Sequence, residues 1–250
     1  MHKSYLILLL LFPCSASAIV NIESLRMDET KQGWSSSLAF SLSGKKGSVD
    51  NDSASFSIGS QWVEPHSRTL LIGALDYSES SGVKDDEEYF AHLRHTHQWT
   101  STLDWELFTQ KEFQPFTYNR KRSLFGGGLR STMHWQGLVG HAGFGVMKEF
   151  ESAITVTQQN RQLENDRFNL FANLKYPFSS TANWVGLVYY QPKVTNSNDY
   201  QMVMTTGVDA QIFGPLHILF DITYQYDTHP TVPNLEQRNY KYNAAFEIEF

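Results

Sequence analysis

The sequence predicts an all-β fold: a closed antiparallel up-and-down transmembrane β-barrel of about 12 strands. Three observations predict it. The first is the C-terminal segment. Tyr240, Tyr242, Ala244, Phe246, Ile248 and Phe250 fall on one face of an extended strand, and Lys241, Asn243, Ala245, Glu247 and Glu249 fall on the other. The second is the N-terminus. Lys3, the apolar run Leu6 to Phe12 and the triplet Ala16-Ser17-Ala18 read as a secretory signal peptide cut after Ala18. The third is a run of short alternating segments joined by connections that are short and long in turn.

Composition narrows the classes further. No apolar stretch after the signal is long enough for a helical span, and mean hydropathy is −0.38. A barrel escapes that average because only every second residue meets lipid. The single cysteine, Cys14, lies in the signal segment, so no disulfide framework is expected. Pro13 stands where a lipid-attachment signal at Cys14 requires a small residue. A formal charge of −6 argues against a general nucleic-acid partner. The expected organisation is 1–18 signal peptide, 19–32 periplasmic segment or lumen insert, and 33–250 outer-membrane barrel.

The strands are read in order from their alternation. The first, Trp34 to Ser43, sends Trp34, Leu38, Phe40 and Leu42 out and its serines in. The second, Ser53 to Val63, sends Ala54, Phe56, Ile58 and Trp62 out. The third, Arg68 to Tyr77, is expected to send Leu70, Ile72 and Ala74 to lipid, although Leu71 and Leu75 blur its face. The fourth to seventh are Tyr89 to Trp99, Leu103 to Phe113, Lys121 to Trp135 and Leu138 to Lys148. The eighth, Asp166 to Tyr176, alternates Phe168, Leu170, Ala172, Leu174 and Tyr176 against Arg167, Asn169, Asn173 and Lys175. The ninth, Asn183 to Gln191, shows no clear face; the tenth is Tyr200 to Ile212. The eleventh sends Leu216 to Tyr226 out at even positions, and the twelfth is the terminal strand.

Connections supply an independent pattern. Those after the even strands are short, as at Glu64-Pro65-His66-Ser67 and Gln136-Gly137. Those after the odd strands are expected to be long polar loops: 44–52, 78–88, 114–120, 149–165, 192–199 and 227–238. Short periplasmic turns with long outer loops is the outer-membrane pattern. A Gln136-Gly137 turn should pair Thr132 with His141, Arg130 with Gly143 and Gly128 with Gly145. Trp62, Trp99 and Trp135 fall near short turns, where an aromatic girdle meets headgroups.

The blocks GWSSSLAFSLSGKKG, HLRHTHQW, RSLFGGGLR, YYQP and YNAAFEIEF together resemble the salt-induced outer-membrane protein family, a Gram-negative family of unknown function. The resemblance spans most of the chain after the signal. It implies an outer-membrane location and a link to salt or osmotic response. It brings no catalytic residue.

Candidate chemistry lies on the inward face. The lumen-lining candidates are His92, Arg94, Arg122, Arg130, His141, Arg167, Lys175 and Lys241, with Asp104, Glu106, Asp209, Asp221, Glu247 and Glu249. Either they form a salt-bridge network that fills a narrow lumen, or they line a pore that selects small charged solutes. His95 and His97 share one face of the fourth strand and His92 takes the other, so they make no closed metal site. Gly126-Gly127-Gly128 lacks the Lys and helix of a phosphate loop and reads as a tightly packed strand. No catalytic residue, metal or cofactor is expected.

Three functions stay open at this point: a narrow pore, a structural envelope barrel, and a membrane-embedded enzyme acting on lipid or lipopolysaccharide. A soluble periplasmic ligand-binding barrel is the alternative at the level of fold. Expected partners are outer-membrane lipid, lipopolysaccharide, periplasmic chaperones and the barrel-assembly machinery, which would read Tyr242, Phe246, Ile248 and Phe250 as a C-terminal signal. Phe250→Asp should therefore lower the amount of heat-modifiable protein in outer-membrane fractions. Normal levels in that variant would count against the assembly signal.

Overall fold

Twelve strands run in sequence order around a closed antiparallel barrel, each bonded to its neighbours in the chain and the last to the first. They are β1 (Gly33–Lys45), β2 (Asn51–Val63), β3 (Ser67–Ser80), β4 (Val83–Gln98), β5 (Leu103–Gln114), β6 (Arg120–Trp135), β7 (Leu138–Ile154), β8 (Asn160–Pro177), β9 (Ala182–Lys193), β10 (Asn196–Phe213), β11 (Leu216–Asp227) and β12 (Arg238–Glu249). The computed structural model describes residues 32–45, 51–135, 137–154, 157, 159–231 and 235–249, and no helix occurs among them. The expected signal peptide, nearly all of segment 19–32, Gln136, Phe250 and the side chain of Glu249 lie outside the described residues.

Period-2 alternation decides which side chains meet the outside. Phe40, Phe56, Leu71, Leu93, Leu107, Phe125, Phe144, Phe220 and Phe246 are exposed on the exterior. The inward positions between them are buried and mostly polar. The apolar belt is bounded at the short-turn end by Trp34, Trp62, Trp99 and Trp135, all strongly exposed. Trp34 and Trp62 pack at 6.2 Å between ring centroids. Trp62 Nε1 donates to Glu64 (3.1 Å) and Ser67 Oγ to its other oxygen (2.9 Å). Those two bonds hold the Glu64 carboxyl below the usual carboxylate range and tie the girdle to its turn. At the other end the outward face turns polar, with Lys148 ion-paired to Glu164 and Asp166. Outward tyrosines there form a ladder, Tyr190–Tyr200–Tyr226, at 5.3 and 5.7 Å.

The β6–β7 hairpin has the expected register, with Thr132 opposite His141, Arg130 opposite Gly143 and Gly128 opposite Gly145. Two expectations fail. In β3, Leu70 and Ile72 point inward and are buried, while Leu71 and Leu75 are the exposed residues. Pairing forces this: Leu70 lies opposite the inward Gln61 and Arg94, and Ile72 opposite His92. Ala74 lies two residues on, on the same face, and packs on the Leu70–Ile72–Phe90 cluster. The second failure concerns the long loops. All six are shorter than expected, and three lose most of their length because the strands continue through them. Segment 78–88 becomes a hairpin turning at Ser81-Gly82, both with positive φ as a two-residue turn of this hand requires. The connections after β7 and β9 shrink to 155–159 and 194–195. The polar ends of these strands keep pairing, so polarity there marks strand that rises beyond the apolar belt.

Closure is thinnest at its seam. Among the described residues β1 pairs with β12 from Ser37 to Phe40, against Phe246 to Glu249, whereas β7 and β8 pair along Val139 to Ile154. Glycine is required where the interior is crowded. Gly143 leaves room for the Phe171 ring, which overlies the space a Cβ would take. Gly143→Val should therefore displace Phe171 and destabilise the folded barrel by about 1–3 kcal/mol. The check is the temperature at which heat-modifiable mobility is lost, and an unchanged value would show that the ring has room to move.

Candidate functional site

Charge crowds the interior because every inward position must be filled by a side chain or by water. The strands β5 to β10 supply the filled part. Arg122 is nearly inaccessible and donates Nε to Glu149 (2.7 Å), Nη1 to Glu112 (3.3 Å) and Nη2 to Gln201 (2.7 Å). Arg167 donates Nε to the other oxygen of Glu149 (2.7 Å) and Nη2 to Asp199 (3.0 Å). Its Nη1 reaches the carbonyls of Gln191 and Asp199. Arg120 donates to Glu151 and lies 3.8 Å from Glu112. Glu149 thus sits between two guanidiniums and takes a third bond from Asn165 (3.2 Å). Such a cluster offsets its desolvation only because nearly every lone pair is used.

Below this cluster lies an apolar layer. Phe108, Leu124 and Met147 form one buried group, and Phe171, Leu187, Tyr189 and Val203 another. His92 stacks between Phe90 (6.3 Å) and Phe108 (6.0 Å), and its Nδ1 meets Gln110 at 3.1 Å. Nearer the short turns, Arg94 meets Glu106 at 3.4 Å. The guanidiniums of Arg94 and Arg130 lie over Phe171 at 6.0 and 5.9 Å. Asp104 lies opposite Arg130 in the β5–β6 register.

The opposite wall is different. β1 and β2 present serines inward, and Lys241 of β12 crosses in front of them to reach Asp76 of β3 at 2.8 Å. The Lys241 and Asp76 side chains face inward yet stay 43% and 28% exposed, so a wet cleft borders this wall. Asn243 donates to Asp221 at 3.3 Å nearby. Further toward the short turns of β10–β11, Asp209 meets His217 (2.8 Å), with Lys175 at 4.0 Å. The cleft ends at a floor of Ser37, Gln61, Leu70 and Ile72, all nearly inaccessible.

The sequence-derived candidates thus divide into separate groups. Arg122 and Arg167 meet through Glu149; Arg94 meets Glu106; Asp209, Asp221 and Lys241 lie on the wet side. His141 bonds Thr132 at 3.0 Å, and Glu247 is buried. Glu249 lies outside the described side chains. His95 and His97 face outward and flank Trp105 at 5.6 and 5.5 Å, on the exterior aromatic surface. Sequence reasoning missed Glu88, Glu112, Glu149 and Glu151. Glu149 and Glu151 alternate with Phe150 and Ser152, the signal that would have extended the strand over them.

These features define a class: a closed twelve-stranded β-barrel with an apolar belt outside and a largely ionic interior. The chain belongs to the family described as "Protein of unknown function, DUF481", which matches residues 38–250. No match occurs among curated proteins. Among solved structures the chain is similar to the translocator domain of the autotransporter NalP from Neisseria meningitidis. That likeness has 12% identity and a TM-score of 0.49, over 92% of this chain and 91% of that one. It is also similar to the KdgM porin, with 10% identity and a TM-score of 0.46, over 87% and 99%. LpxR from Salmonella typhimurium is similar at 9% identity and a TM-score of 0.44, over 86% and 99%. The barrel itself rests on this chain's own strand pairing.

Glu149→Gln should cost about 3–5 kcal/mol of stability, because it leaves two buried guanidiniums short of charge. Glu164→Gln, at the exposed Lys148 pair, should cost under about 1 kcal/mol. Urea unfolding in lipid vesicles measures both, and equal effects would contradict the central place of Glu149.

Proposed function

We propose that the protein is an outer-membrane β-barrel, exported by a signal peptide cut after Ala18, that offers a narrow conduit to small polar solutes or ions. The exterior belt supports the membrane placement: outward Leu, Ile and Phe alternate with buried polar residues on nearly every strand. The observation that carries the conduit is the asymmetry of the interior. The β5–β10 side is packed and charge-satisfied. The serine-lined β1–β3 wall stays wet from the end where 228–237 connects β11 to β12 down to the floor at Ser37, Gln61, Leu70 and Ile72. Conduction then requires that floor to part. The family resemblance links such a conduit to salt or osmotic response, and Tyr242, Phe246, Ile248 and Phe250 serve assembly in the same reading.

A second reading is a structural barrel with a sealed lumen. The nearly inaccessible Arg122–Glu149–Arg167 cluster favours it. Planar-bilayer recording separates the two. The conduit should show discrete current steps, and Gln61→Ala combined with Ile72→Ala should enlarge the steps about twofold or more by widening the floor. Silence from both the unmodified and the floor-widened protein would leave the structural barrel.

A further inference from the structure

The wet cleft holds more acid than its one bridging lysine can balance. Asp76, Asp86, Glu88 and Asp221 each face Lys241. Asp76 lies directly opposite Glu88 in the β3–β4 register, and Asp221 directly opposite Asn243 in β11–β12. Lys241 takes its short contact with Asp76 alone, at 2.8 Å. Four carboxyl groups therefore surround one ammonium.

A cluster of acids would by itself mean little, since solvated acids are common. Glu88 is the second observation. It is only 6% exposed; its carboxyl takes a side-chain hydrogen bond from Gln114, but its Oε1 makes none. A buried carboxylate oxygen without a donor is costly, and a bound cation supplies what it lacks. The arginines nearby do not supply it. Arg120 and Arg122 are engaged by Glu112, Glu149 and Glu151.

The dispersal of the carboxylates sets the ligand class. Among the described residues no three His, Cys, Asp or Glu are arranged to hold a metal ion. The cleft instead already accommodates a primary ammonium on a flexible four-carbon stem, Lys241 itself, which reaches Asp76 of β3 past the serine-bearing strands β1 and β2. We propose that Asp76, Asp86, Glu88 and Asp221 form a binding site for an extended organic cation bearing primary ammonium groups, such as a linear polyamine. Lys241 is its built-in competitor. The ligand enters at the wet end of the cleft, places one ammonium beside Glu88 and spreads the others toward Asp86 and Asp221. This site stands on the interior geometry and does not depend on conduction through the floor.

Calorimetric titration of the folded full-length barrel in non-ionic detergent with spermidine tests it, with heat-modifiable mobility confirming that each variant is folded. Spermidine should bind, and high salt should weaken it. Asp221→Asn should weaken binding by about two- to fivefold, the worth of one partly solvated charge contact, and Glu88→Gln, at a buried carboxyl, by at least as much. Lys241→Gln should strengthen it by a similar factor. Glu64→Gln, in an exposed short turn, should leave it unchanged. Absence of binding to both the unmodified protein and Lys241→Gln would overturn the site. So would equal losses at Glu64 and Glu88, or tighter binding of magnesium than of spermidine. Should Glu88→Gln fail to fold, Asp221→Asn and Lys241→Gln still decide the matter.

Discussion

Closure of the sheet is the constraint on which the rest of this protein depends. Hydrocarbon offers no partner to a free backbone N–H or C=O, so a sheet that crosses a bilayer must return to its own first strand. Here β12 comes back to β1, among the described residues, over the short stretch Ser37 to Phe40. Closing twelve strands also sets the diameter of the interior. An eight-stranded barrel can be filled by ordinary side chains, but a wider one needs large side chains or water. This chain uses both, and it separates them by wall.

The packed wall shows what large polar side chains accomplish in a space of this width. An arginine reaches far enough to meet partners on other strands, as Arg122 does with Gln201 of β10 and Arg167 with Asp199. Where the strands approach closely, glycine makes the room: Gly143 admits the Phe171 ring, and the ring carries two guanidiniums on its faces. The wet wall is built the opposite way. Serines on β1 and β2 are too short to cross the lumen, so Lys241 must span them to find Asp76. Small side chains on one wall therefore create the cleft that long side chains on the other wall do not fill.

Parity was legible wherever the two faces of a strand differ in polarity. In β8, Phe168 to Tyr176 against Arg167 to Lys175 shows the outward set at once, and the Gln136-Gly137 turn was enough to place Arg130 opposite Gly143. In β3 both faces are apolar, because Leu70 and Ile72 form the floor of the lumen while Leu71 and Leu75 meet the exterior. Hydropathy cannot tell a lumen floor from a lipid contact, and only the pairing with Gln61 and His92 does. The ends of β4, β7 and β8 were hidden for another reason. Above the apolar belt both faces are polar, so the alternation persists in geometry and vanishes in composition. Glu88, Glu149 and Glu151 were lost with those ends, and with them the acid that Arg120, Arg122 and Arg167 require.

A charged interior also answers a question that stability alone leaves open. Filling the lumen with leucine would hold the barrel shut as well, and replacing buried ion clusters by apolar side chains is often neutral or favourable. It would, however, make the two faces of each strand alike. A slip of one residue between neighbouring strands exchanges inside for outside. With apolar residues on both faces that slip would cost little. With Arg94, Glu106 and Arg130 inside, beside the outward Leu93, Leu107 and Leu129, the same slip drives charge into the apolar belt, at about 2–4 kcal/mol for each arginine near a bilayer midplane. It also strands the carboxylate partners. The strand that lacks this contrast, β3, is held on one side by Gln61 of β2 and on the other by His92 and Arg94 of β4. Inward charge thus does for register what the seam does for closure: it favours the arrangement that keeps Arg94, Glu106 and Arg130 off the apolar belt.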